Sequence, residues 1–387
     1  MDRVHRIAML LENNPYPQDV RVRREAESLV AAGHDVTVHA PRAPGQPRRE
    51  SVSGVRVRRF SLPEARAGSM AFVTEYATAA LKLHLAAARE LARGATVLHL
   101  HNPPDVLFPA ALAARALRRR VVFDHHDLFP ELVEAKFGAT PLVRVAGACE
   151  GLTFLAADHV LAPNESHRDV ACSRGRKPAA AVTVVRNGPL AAALAEPRTR
   201  AGALDDPHLV YVGAVSDQDG AEALPRLVGL LARDHGIRRA RVTIVGDGDA
   251  RAQVEAAARA EGVADRVEFT GWVEVDEVPA LIRSADICVD PAPATPLNER
   301  STMIKIAEYL AAAKPVVAYD LLETHRTVGG AATLARPDEL ADFAAVVARL
   351  AGDAAERARL SRSARARAEA LTWEHSERAL LDAYAAL

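Results

Sequence analysis

The sequence predicts an α/β protein of two domains, each with a parallel sheet covered by helices on both faces. The chain has 387 residues, and a single hydrophobic core stops growing at roughly 250–300 residues. Short apolar runs typical of strands alternate with amphipathic runs typical of helices in both halves. Between the halves, residues 190–208 combine Pro, Gly and charge, and this composition indicates a linker.

The first half opens with the apolar run Ile7–Leu11, which we expect to be a buried strand. Asp19–Ala32 predicts a helix, because its apolar residues fall on one face and Gly33 follows as a stop signal. The same reading places strands at 35–40, 55–60, 96–101, 121–124, 160–162 and 182–185, and helices at 71–93 and 109–117.

The second half repeats this scheme. It predicts strands at 209–212, 241–245, 267–269, 287–289 and 315–318, and helices at 220–233, 250–261, 278–284, 302–313, 338–352, 354–371 and 373–387. Strands that are short and apolar throughout are typical of parallel sheets buried on both faces.

Composition indicates an ordinary globular protein, with 49% apolar and 26% charged residues. No apolar run is long enough to cross a membrane and none resembles a cleavable leader, so we expect a cytoplasmic protein. The three cysteines are scattered and show no CxxC pattern, which favours small reduced core residues over disulfides or zinc.

The charge is distributed unevenly along the chain. Residues 1–190 hold 26 Lys/Arg and 19 Asp/Glu, whereas residues 191–387 hold 23 and 31. The basic half contains a dense arginine patch, which suits an anionic membrane surface or an anionic substrate, although a solvated edge strand is an equal alternative. The patch comprises Arg42, Arg48, Arg49, Arg56, Arg58 and Arg59. No aromatic residues interleave with it, so we expect no nucleic-acid binding.

Polar residues cluster after two strands of the first half, where ligands bind in open parallel sheets. The loop 124–131 carries two imidazoles and three carboxylates within eight residues, and a second polar group follows the preceding strand. These groups suit the holding of substrate hydroxyls or the polarisation of an acceptor, and a self-satisfied loop is the alternative. The candidates are His99, His101, Asn102, Asp124, His125, His126, Asp127 and Glu131.

The helix after the first strand carries cations in an unusual place. Asp19 is a plausible N-cap. Arg21, Arg23 and Arg24 follow in the first turns, where cations oppose the helix dipole. Their placement indicates a nearby anion such as a phosphate, although local pairing with Glu25 and Glu27 is the alternative.

In the second half, the residues after strand 241–245 read Gly246-Asp247-Gly248. Glycines between a strand and a helix let a backbone approach a ligand closely, although a tight turn alone explains this short pattern equally well.

The segment 298–314 carries the sharpest pattern. Ser301 and Thr302 can cap a helix whose first amides then form an anion site. Ser301, Lys305 and Glu308 share one helical stripe, and together they suit a diphosphate and a ribose diol. An exposed Lys305–Glu308 pair is the alternative.

At this point the chain resembles a family 4 glycosyltransferase of the GT-B fold, over nearly its whole length. The resemblance is carried by the order and spacing of six segments: residues 16–25, 124–131, 185–188, 245–248, 269–272 and 301–315.

The resemblance implies two Rossmann-like domains, at 1–190 and 207–372, that face each other across a cleft, with the helix 373–387 packing back on the first. It implies a retaining enzyme that uses a nucleotide-diphosphate sugar, with no obligatory metal or other cofactor. Glu308 would bind the ribose, Trp272 and Val273 the base, and the amides of Ser301, Thr302 and Met303 the diphosphate. His126 would lie near the reacting sugar carbon, beside Asp127.

Two positions depart from the family pattern. The usual second glutamate, eight residues before Glu308, is Arg300, which leaves Glu299 or Asn298 to contact the sugar. The first loop of the second domain, Gly213–Gly220, lacks the usual Arg and Lys and has Asp219 near the place of the lysine. We expect Lys305 to replace the missing charge, with Arg300 or a Mg²⁺ ion recruited by Asp217 and Asp219 as alternatives.

The function predicted from these patterns is sugar transfer to an acceptor hydroxyl in polysaccharide or glycoconjugate synthesis. The acceptor side would comprise Arg21, Arg24, His101, Asn102, Asp124 and Glu131, and we expect a lipid-linked or small-molecule acceptor. The basic first half favours an anionic acceptor and peripheral contact with the inner face of a membrane. A nucleotide-sugar epimerase on the same fold and a non-catalytic homologue are the alternatives.

Overall fold

The computed structural model describes residues 4–62, 69–103 and 105–387. The chain divides into two compact units. Unit 1 comprises residues 1–186 and 376–387, and unit 2 comprises residues 187–375.

Unit 1 is built on an eight-stranded sheet in the order β3-β4-β2-β1-β5-β6-β7-β8. All neighbours are parallel except β3, which pairs antiparallel with β4 at one edge. The strands are β1 (Arg6–Leu10), β2 (Asp35–Pro41), β3 (Arg49–Val52), β4 (Val55–Phe60), β5 (Val97–His101), β6 (Arg120–Asp124), β7 (His159–Ala162) and β8 (Val182–Val184). The central strands are buried on both faces, which explains their continuous apolar character.

Helices cover this sheet. They are α1 (Val20–Ala31), α2 (Ser69–Ala92), α3 (Phe108–Ala116), α4 (Phe129–Phe137), α5 (Pro141–Ala156) and α6 (Glu165–Ser173). Asp19 caps α1 by accepting a hydrogen bond from the Val22 amide at 3.0 Å, which confirms the predicted start. The end of the chain returns to this unit, where the Tyr384 hydroxyl lies 2.8 Å from Nδ1 of His99.

Unit 2 is built on a six-stranded parallel sheet in the order β11-β10-β9-β12-β13-β14. The strands are β9 (His208–Val212), β10 (Arg241–Val245), β11 (Val267–Gly271), β12 (Ile287–Asp290), β13 (Val316–Tyr319) and β14 (Thr333–Ala335). The helices are α7 (Ala223–Asp234), α8 (Arg251–Ala260), α9 (Val278–Ser284), α10 (Ile304–Ala311), α11 (Leu322–Val328), α12 (Leu340–Gly352), α13 (Ala354–Glu369) and α14 (Trp373–Ala385), whose C-terminal part lies in unit 1.

The segment 190–208 does not behave as the predicted linker. Its backbone bonds to unit 2, through the Ala195 amide to the Ala311 carbonyl at 2.7 Å and the Leu204 amide to the Ala351 carbonyl at 2.9 Å. The buried guanidinium of Arg357 also donates to the Arg200 carbonyl at 3.1 Å. Pro and Gly therefore shape a segment that packs on the surface of unit 2.

Candidate functional site

In unit 1, the predicted polar residues after β5 and β6 converge on one carboxylate. Asp124 is fully buried, and Arg21 donates two hydrogen bonds to it, from Nε at 2.7 Å and from Nη2 at 2.6 Å. Nδ1 of His101 lies 2.9 Å from Oδ2 of Asp124, and Nδ1 of His126 lies 3.1 Å from the same oxygen. Strand ends that are neighbours in the sheet thus place their polar residues together.

The charges of this cluster set its protonation. Burial raises the pKa of Asp124, but Arg21 and His126 outweigh burial and hold that pKa well below its usual range. Burial lowers the pKa of His126, but the Asp124 carboxylate reverses this and raises it to about 9. His126 is therefore an imidazolium at neutral pH, with Nδ1 held by Asp124. Its side chain is 12% exposed, so Nε2–H remains to donate to a substrate oxygen.

Arg21 does not have the predicted role. Its placement in the first turn of α1 indicated a phosphate, but the anion that it binds is the protein's own Asp124, and Nη1 donates to the Val185 carbonyl at 2.6 Å. Arg21 is 4% exposed, so it holds Asp124 from the interior of the unit through its two hydrogen bonds to that carboxylate. Arg24 is half-buried on the same helix.

Two other predicted acceptor residues have structural partners. Asn102 is buried, and it fixes the loop after β6 by accepting from the amides of His126 and Asp127 at 2.9 and 3.1 Å and by donating to the Asp127 carbonyl at 2.6 Å. The carboxylate of Glu131 accepts from Arg174 at 2.8 Å, so this ion pair occupies it.

Sequence reasoning named His99 but did not place it with Glu25 in one layer below this cluster. Glu25 and His99 are fully buried, with Oε1 of Glu25 3.2 Å from Nη2 of Arg21 and Oε2 3.7 Å from Nε2 of His99. The rings of His99 and His101 stack with centroids 4.3 Å apart. The signals were present, because Arg21 and Glu25 are four residues apart on a helix and the two histidines alternate on one strand.

In unit 2, Lys305 is the centre of the candidate donor site, but it is not on an exposed stripe. It is 8% exposed, and its Nζ lies 3.0 Å from Oδ1 of Asp219 and 3.4 Å from Oδ1 of Asp290. Burial lowers the pKa of Lys305, but Asp290, the Tyr211 hydroxyl and Asp219 together raise it, so the ammonium stays charged. Its side chain passes beneath Gly213, where an added Cβ would lie 2.9 Å from Cε of Lys305. The lysine therefore reaches the loop that lacks the usual cations.

The start of α10 differs from the prediction. The helix begins at Ile304 with Met303 as the N-cap residue, and no side chain caps it. The Ser301 hydroxyl instead donates to the Leu297 carbonyl at 2.8 Å. Ser301, Thr302 and Met303 are half-buried and Ile304 is 47% exposed, so the end of the helix is open. Glu308 is half-buried one turn further along.

The glycines after β9 and β10 approach each other rather than open a space for a ligand. A Cβ on Gly246 would lie 2.0 Å from the Gly213 carbonyl oxygen, and one on Gly248 would lie 2.5 Å from that of Val215. The predicted approach of backbone to ligand at Gly246 and Gly248 is thus an approach of backbone to backbone. Asp247 is engaged locally, since its carboxylate accepts from the Gly248 amide at 2.9 Å.

The remaining donor candidates fall into two groups. Trp272 is 82% exposed directly after β11, while Val273 packs partly into the core. Glu299 and Asn298 have structural roles, because Glu299 accepts from the Leu322 amide at 2.7 Å and Nδ2 of Asn298 donates to the carbonyls of Gln218 and Pro293, each at 2.9 Å. Nδ2 of Asn298 and Oε2 of Glu299 are therefore engaged, whereas Oδ1 of Asn298 is buried and has no partner among the described residues. Arg300 is half-buried beside them, and the Asp217 side chain lies outside the described residues.

Each unit has a mainly parallel sheet with polar groups at the carboxyl ends of its strands. This arrangement defines a two-domain protein of the nucleotide-binding α/β class. The family of "Glycosyl transferase 4-like domain" matches residues 18–188, and that of "Glycosyl transferases group 1" matches residues 206–353. The two matches together span most of the chain. The chain belongs to the glycosyltransferases of family 4 and has the GT-B fold.

Curated relatives are similar over part of their length. The 2-deoxystreptamine glucosyltransferase of Streptomyces kanamyceticus is 33% identical over 151 residues, 38% of this chain and 37% of the relative. The alpha-D-kanosaminyltransferase of the same organism is 30% identical over 172 residues, 44% and 43% of the two chains. A D-inositol 3-phosphate glycosyltransferase of Salinispora tropica is 34% identical over 137 residues, which are 33% of this chain and 26% of the relative. The chain thus spans less than half the length of these relatives.

Solved structures share the fold over the whole chain. Sucrose-phosphate synthase from Thermosynechococcus elongatus has a TM-score of 0.72 at 18% identity and covers 98% of both chains. Anabaena HepE, in complex with UDP-glucose, has a TM-score of 0.72 at 16% identity and covers 98% of this chain and 100% of its own.

Proposed function

We propose that this protein is a retaining glycosyltransferase that moves a sugar from a nucleoside-diphosphate donor, bound by unit 2, to an acceptor hydroxyl bound by unit 1. The observation that carries the proposal is the open start of α10, which has no side-chain cap, with the charged Lys305 in its first turn. Helix amides and a fixed ammonium are the groups that stabilise a diphosphate anion.

In the proposed reaction, negative charge would develop on the diphosphate beside the amides of α10 and Lys305. As the bond between the sugar and the diphosphate breaks, the leaving diphosphate gains negative charge, and preorganised donors lower the energy of that state. Lys305 can supply its charge only if the diphosphate competes with Asp219, whose side chain is 24% exposed and thus able to move aside. Asp290 is buried and stays as the permanent counter-ion.

The nucleoside would extend from this point towards Trp272, Val273 and Glu308. The exposed indole of Trp272 offers a face on which a base can stack, with Val273 beside it. Glu308, one turn after the start of α10, offers a carboxylate to the ribose hydroxyls. HepE, which was solved in complex with UDP-glucose, supports a uridine donor. Trehalose-6-phosphate synthase, which has the same fold and transfers a glycosyl group with retention, supports a retaining mechanism.

On the acceptor side, the His126 imidazolium would donate from Nε2 to a substrate oxygen, and Asp127 would contact the acceptor. Arg21 and Asp124 act as positioning residues that hold this ring. An imidazolium cannot remove a proton, so His126 serves by hydrogen bonding and charge.

We propose that no metal takes part. In the described part of the chain, one group of potential ligands lies close together, namely Glu25, His99, His101 and Asp124. The Arg21 guanidinium already bonds Asp124 and contacts Glu25, so it supplies the positive charge that this group requires. In unit 2, Lys305 has the same role.

The biological setting is also a proposal. Polysaccharide or glycoconjugate synthesis at the inner face of a membrane fits the basic surface of unit 1, and within the described residues no helix is both long and apolar enough to cross a membrane. Half of the predicted patch is used internally, since Arg56, Arg58 and Arg59 pair with Asp35, Glu90 and Glu50. Membrane contact would rest on Arg42, Arg48 and Arg49 with the neighbouring α2 surface, where Leu81 and Leu85 are 63% and 48% exposed.

The test is a donor screen for nucleotide-sugar turnover, combined with calorimetry of UDP and GDP binding. Lys305→Ala and Glu308→Ala should each lower donor turnover at least tenfold. Lys314→Ala is the matched control, because Lys314 is equally buried and its hydrogen-bond partner among the described residues is the Ala285 carbonyl. Unchanged turnover in both site variants would refute the donor site. Sugar inverted at one carbon without any acceptor would indicate an epimerase, and absence of UDP and GDP binding would indicate a non-catalytic homologue.

A further inference from the structure

The carboxyl edge of the sheet in unit 1 gathers three carboxyl groups, and the proposed transfer gives a role to only one of them, Asp127. Glu12 follows β1, Asp105 follows β5 and Asp127 follows β6, and these three strands are neighbours in the sheet. All three residues therefore come to the edge at which His126 lies.

Glu12 is buried in an unusual state. It is 4% exposed, yet no described residue donates a hydrogen bond to its carboxyl group or pairs with it. Burial and the neighbouring Glu75 raise its pKa to about 7. Proteins rarely bury a carboxyl group without a partner, because the loss of hydration is not compensated. Glu12 is thus in need of a cation that the described residues do not provide.

Asp127 and Asp105 lie at the same edge of the sheet as Glu12. Asn102 holds the backbone of Asp127 on both sides, while the Asp127 carboxylate itself has no partner among the described residues. Asp105 is 1% exposed, and neither of its carboxyl oxygens accepts a hydrogen bond. Three separate elements therefore contribute unsatisfied carboxyl groups to one edge.

Tyr76 of α2 responds to all of these groups. Burial raises the pKa of its hydroxyl, and so do Glu12, Glu75, Asp127 and Asp105, which all lie close enough to act on it. The ring stacks on Phe129 of α4 with centroids 5.9 Å apart. An aromatic ring beside carboxyl groups is a favourable environment for a cation.

The nearby cations are already engaged. Arg21 is bound to Asp124, Arg174 holds Glu131 and Glu150, and the His126 imidazolium is held by Asp124. The surplus arginines of unit 1 do not change this local balance, since charges more than about 10 Å apart are screened at physiological ionic strength. This edge of the sheet thus carries a local excess of acidic groups, although the unit as a whole is basic.

We propose that the acceptor carries an ammonium group, as an amine-bearing polyol does, and that Glu12 and Asp127 bind this group while a neighbouring hydroxyl faces His126. The inference rests on the proposed transferase function and names the acceptor class of the same site. It replaces the expectation, based on the net charge of the first half, that an anionic acceptor is favoured.

The experiment measures binding of three ring probes to the full chain by calorimetry at pH 7 in the presence of UDP. The probes are 2-deoxystreptamine, which carries two amino groups, scyllo-inositol, which is a neutral polyol ring, and glucuronate, which is an anion. We expect the amine to bind at least tenfold more tightly than the other two, and its affinity to fall with added salt. Equal affinity for the neutral ring, or preference for glucuronate, would overturn the proposal.

Variants separate recognition from structure. Glu12→Gln should weaken amine binding about tenfold and leave the neutral ring unaffected, whereas equal weakening of both probes would show that Glu12 is only structural. Asp127→Asn makes the same test if the first variant does not fold. Glu134→Gln, exposed on α4, is the control and should bind like the native protein. UDP binding measured on the same samples distinguishes a wrong acceptor class from a failed donor site.

Discussion

At the scale of single residues, the pair formed by Arg21 and Asp124 decides the state of the acceptor side. Both side chains are within 4% of full burial and share two short hydrogen bonds. Removing one charge of a buried pair leaves the other uncompensated, which costs about 3–5 kcal/mol. We therefore expect Asp124→Asn to lower the free energy of unfolding by about 3 kcal/mol or more. The pKa of His126 should fall below 7, because its counter-ion is gone.

Urea denaturation measures the first effect, and an NMR titration of the His126 ring measures the second. The matched control is Asp205→Asn, which removes an ion pair to Arg239 whose side chains are 77% and 69% exposed. Exposed pairs contribute about 1 kcal/mol or less, so this variant should be nearly native. Similar losses in the two variants, or an unshifted His126, would contradict the positioning role of Asp124.

Among elements, the junction of β9 and β10 depends on two glycines. Gly246 has φ +135°, a conformation that other residues rarely adopt, and a Cβ there would lie 2.0 Å from the Gly213 carbonyl oxygen. This contact is with backbone and cannot yield by rotation of a side chain. We expect Gly246→Ala to destabilise unit 2 by about 3 kcal/mol, combining backbone strain with the clash.

Gly330→Ala provides the comparison for that measurement by thermal denaturation. Gly330 has φ +83°, but its Cβ would meet nothing within 4 Å. It isolates the cost of a left-handed conformation, about 1 kcal/mol. If both variants lose the same stability, the close approach of the two loops has no energetic role.

Elements whose apolar residues recur with a clear helical or strand period could be predicted from the sequence. Elements whose position is fixed by tertiary packing could not. The cap at Asp19 and the buried strand after Arg6 followed from local pattern alone. The edge strand β3 was missed, because its exposure alternates and its partner is antiparallel. The start of α10 was placed two residues early, since Ser301 bonds backwards to Leu297 rather than forwards into the helix. Lys305 and Glu308 were correctly grouped on one helix, but only the fold shows that Lys305 turns inwards.

For the whole molecule, net charge gave a poor guide to local chemistry. Part of the arginine surplus in the first half is engaged in ion pairs with Asp35, Glu50 and Glu90, and this includes Arg59 at the carboxyl edge of the sheet. Buried carboxyl groups dominate at that edge. Which partner a unit attracts is therefore set by the few groups within a Debye length of the site.

The shifted pKa values of His126 and Glu25 predict how the free energy of unfolding depends on pH. The pKa of His126 is about 9 in the folded state against 6.5 for a free imidazole, so its stabilising charge is complete below pH 6.5 and is lost as the pH rises through 9. Burial raises the pKa of Glu25 to about 8, and its ionisation therefore also costs stability as the pH rises towards that value. Both groups act in the same direction.

We expect the free energy of unfolding to fall by on the order of 3 kcal/mol between pH 7 and pH 9.5. Urea denaturation across this range measures the slope. His126→Gln should be less stable at pH 7 and should show a shallower slope, because the titrating imidazolium is absent, whereas His325→Gln, at an exposed ion pair with Asp320, should keep the native slope. A stability that stays constant or rises from pH 7 to pH 9.5 would show that His126 is neutral in the folded protein, and hydrogen bonding from an imidazolium to the acceptor would then be excluded.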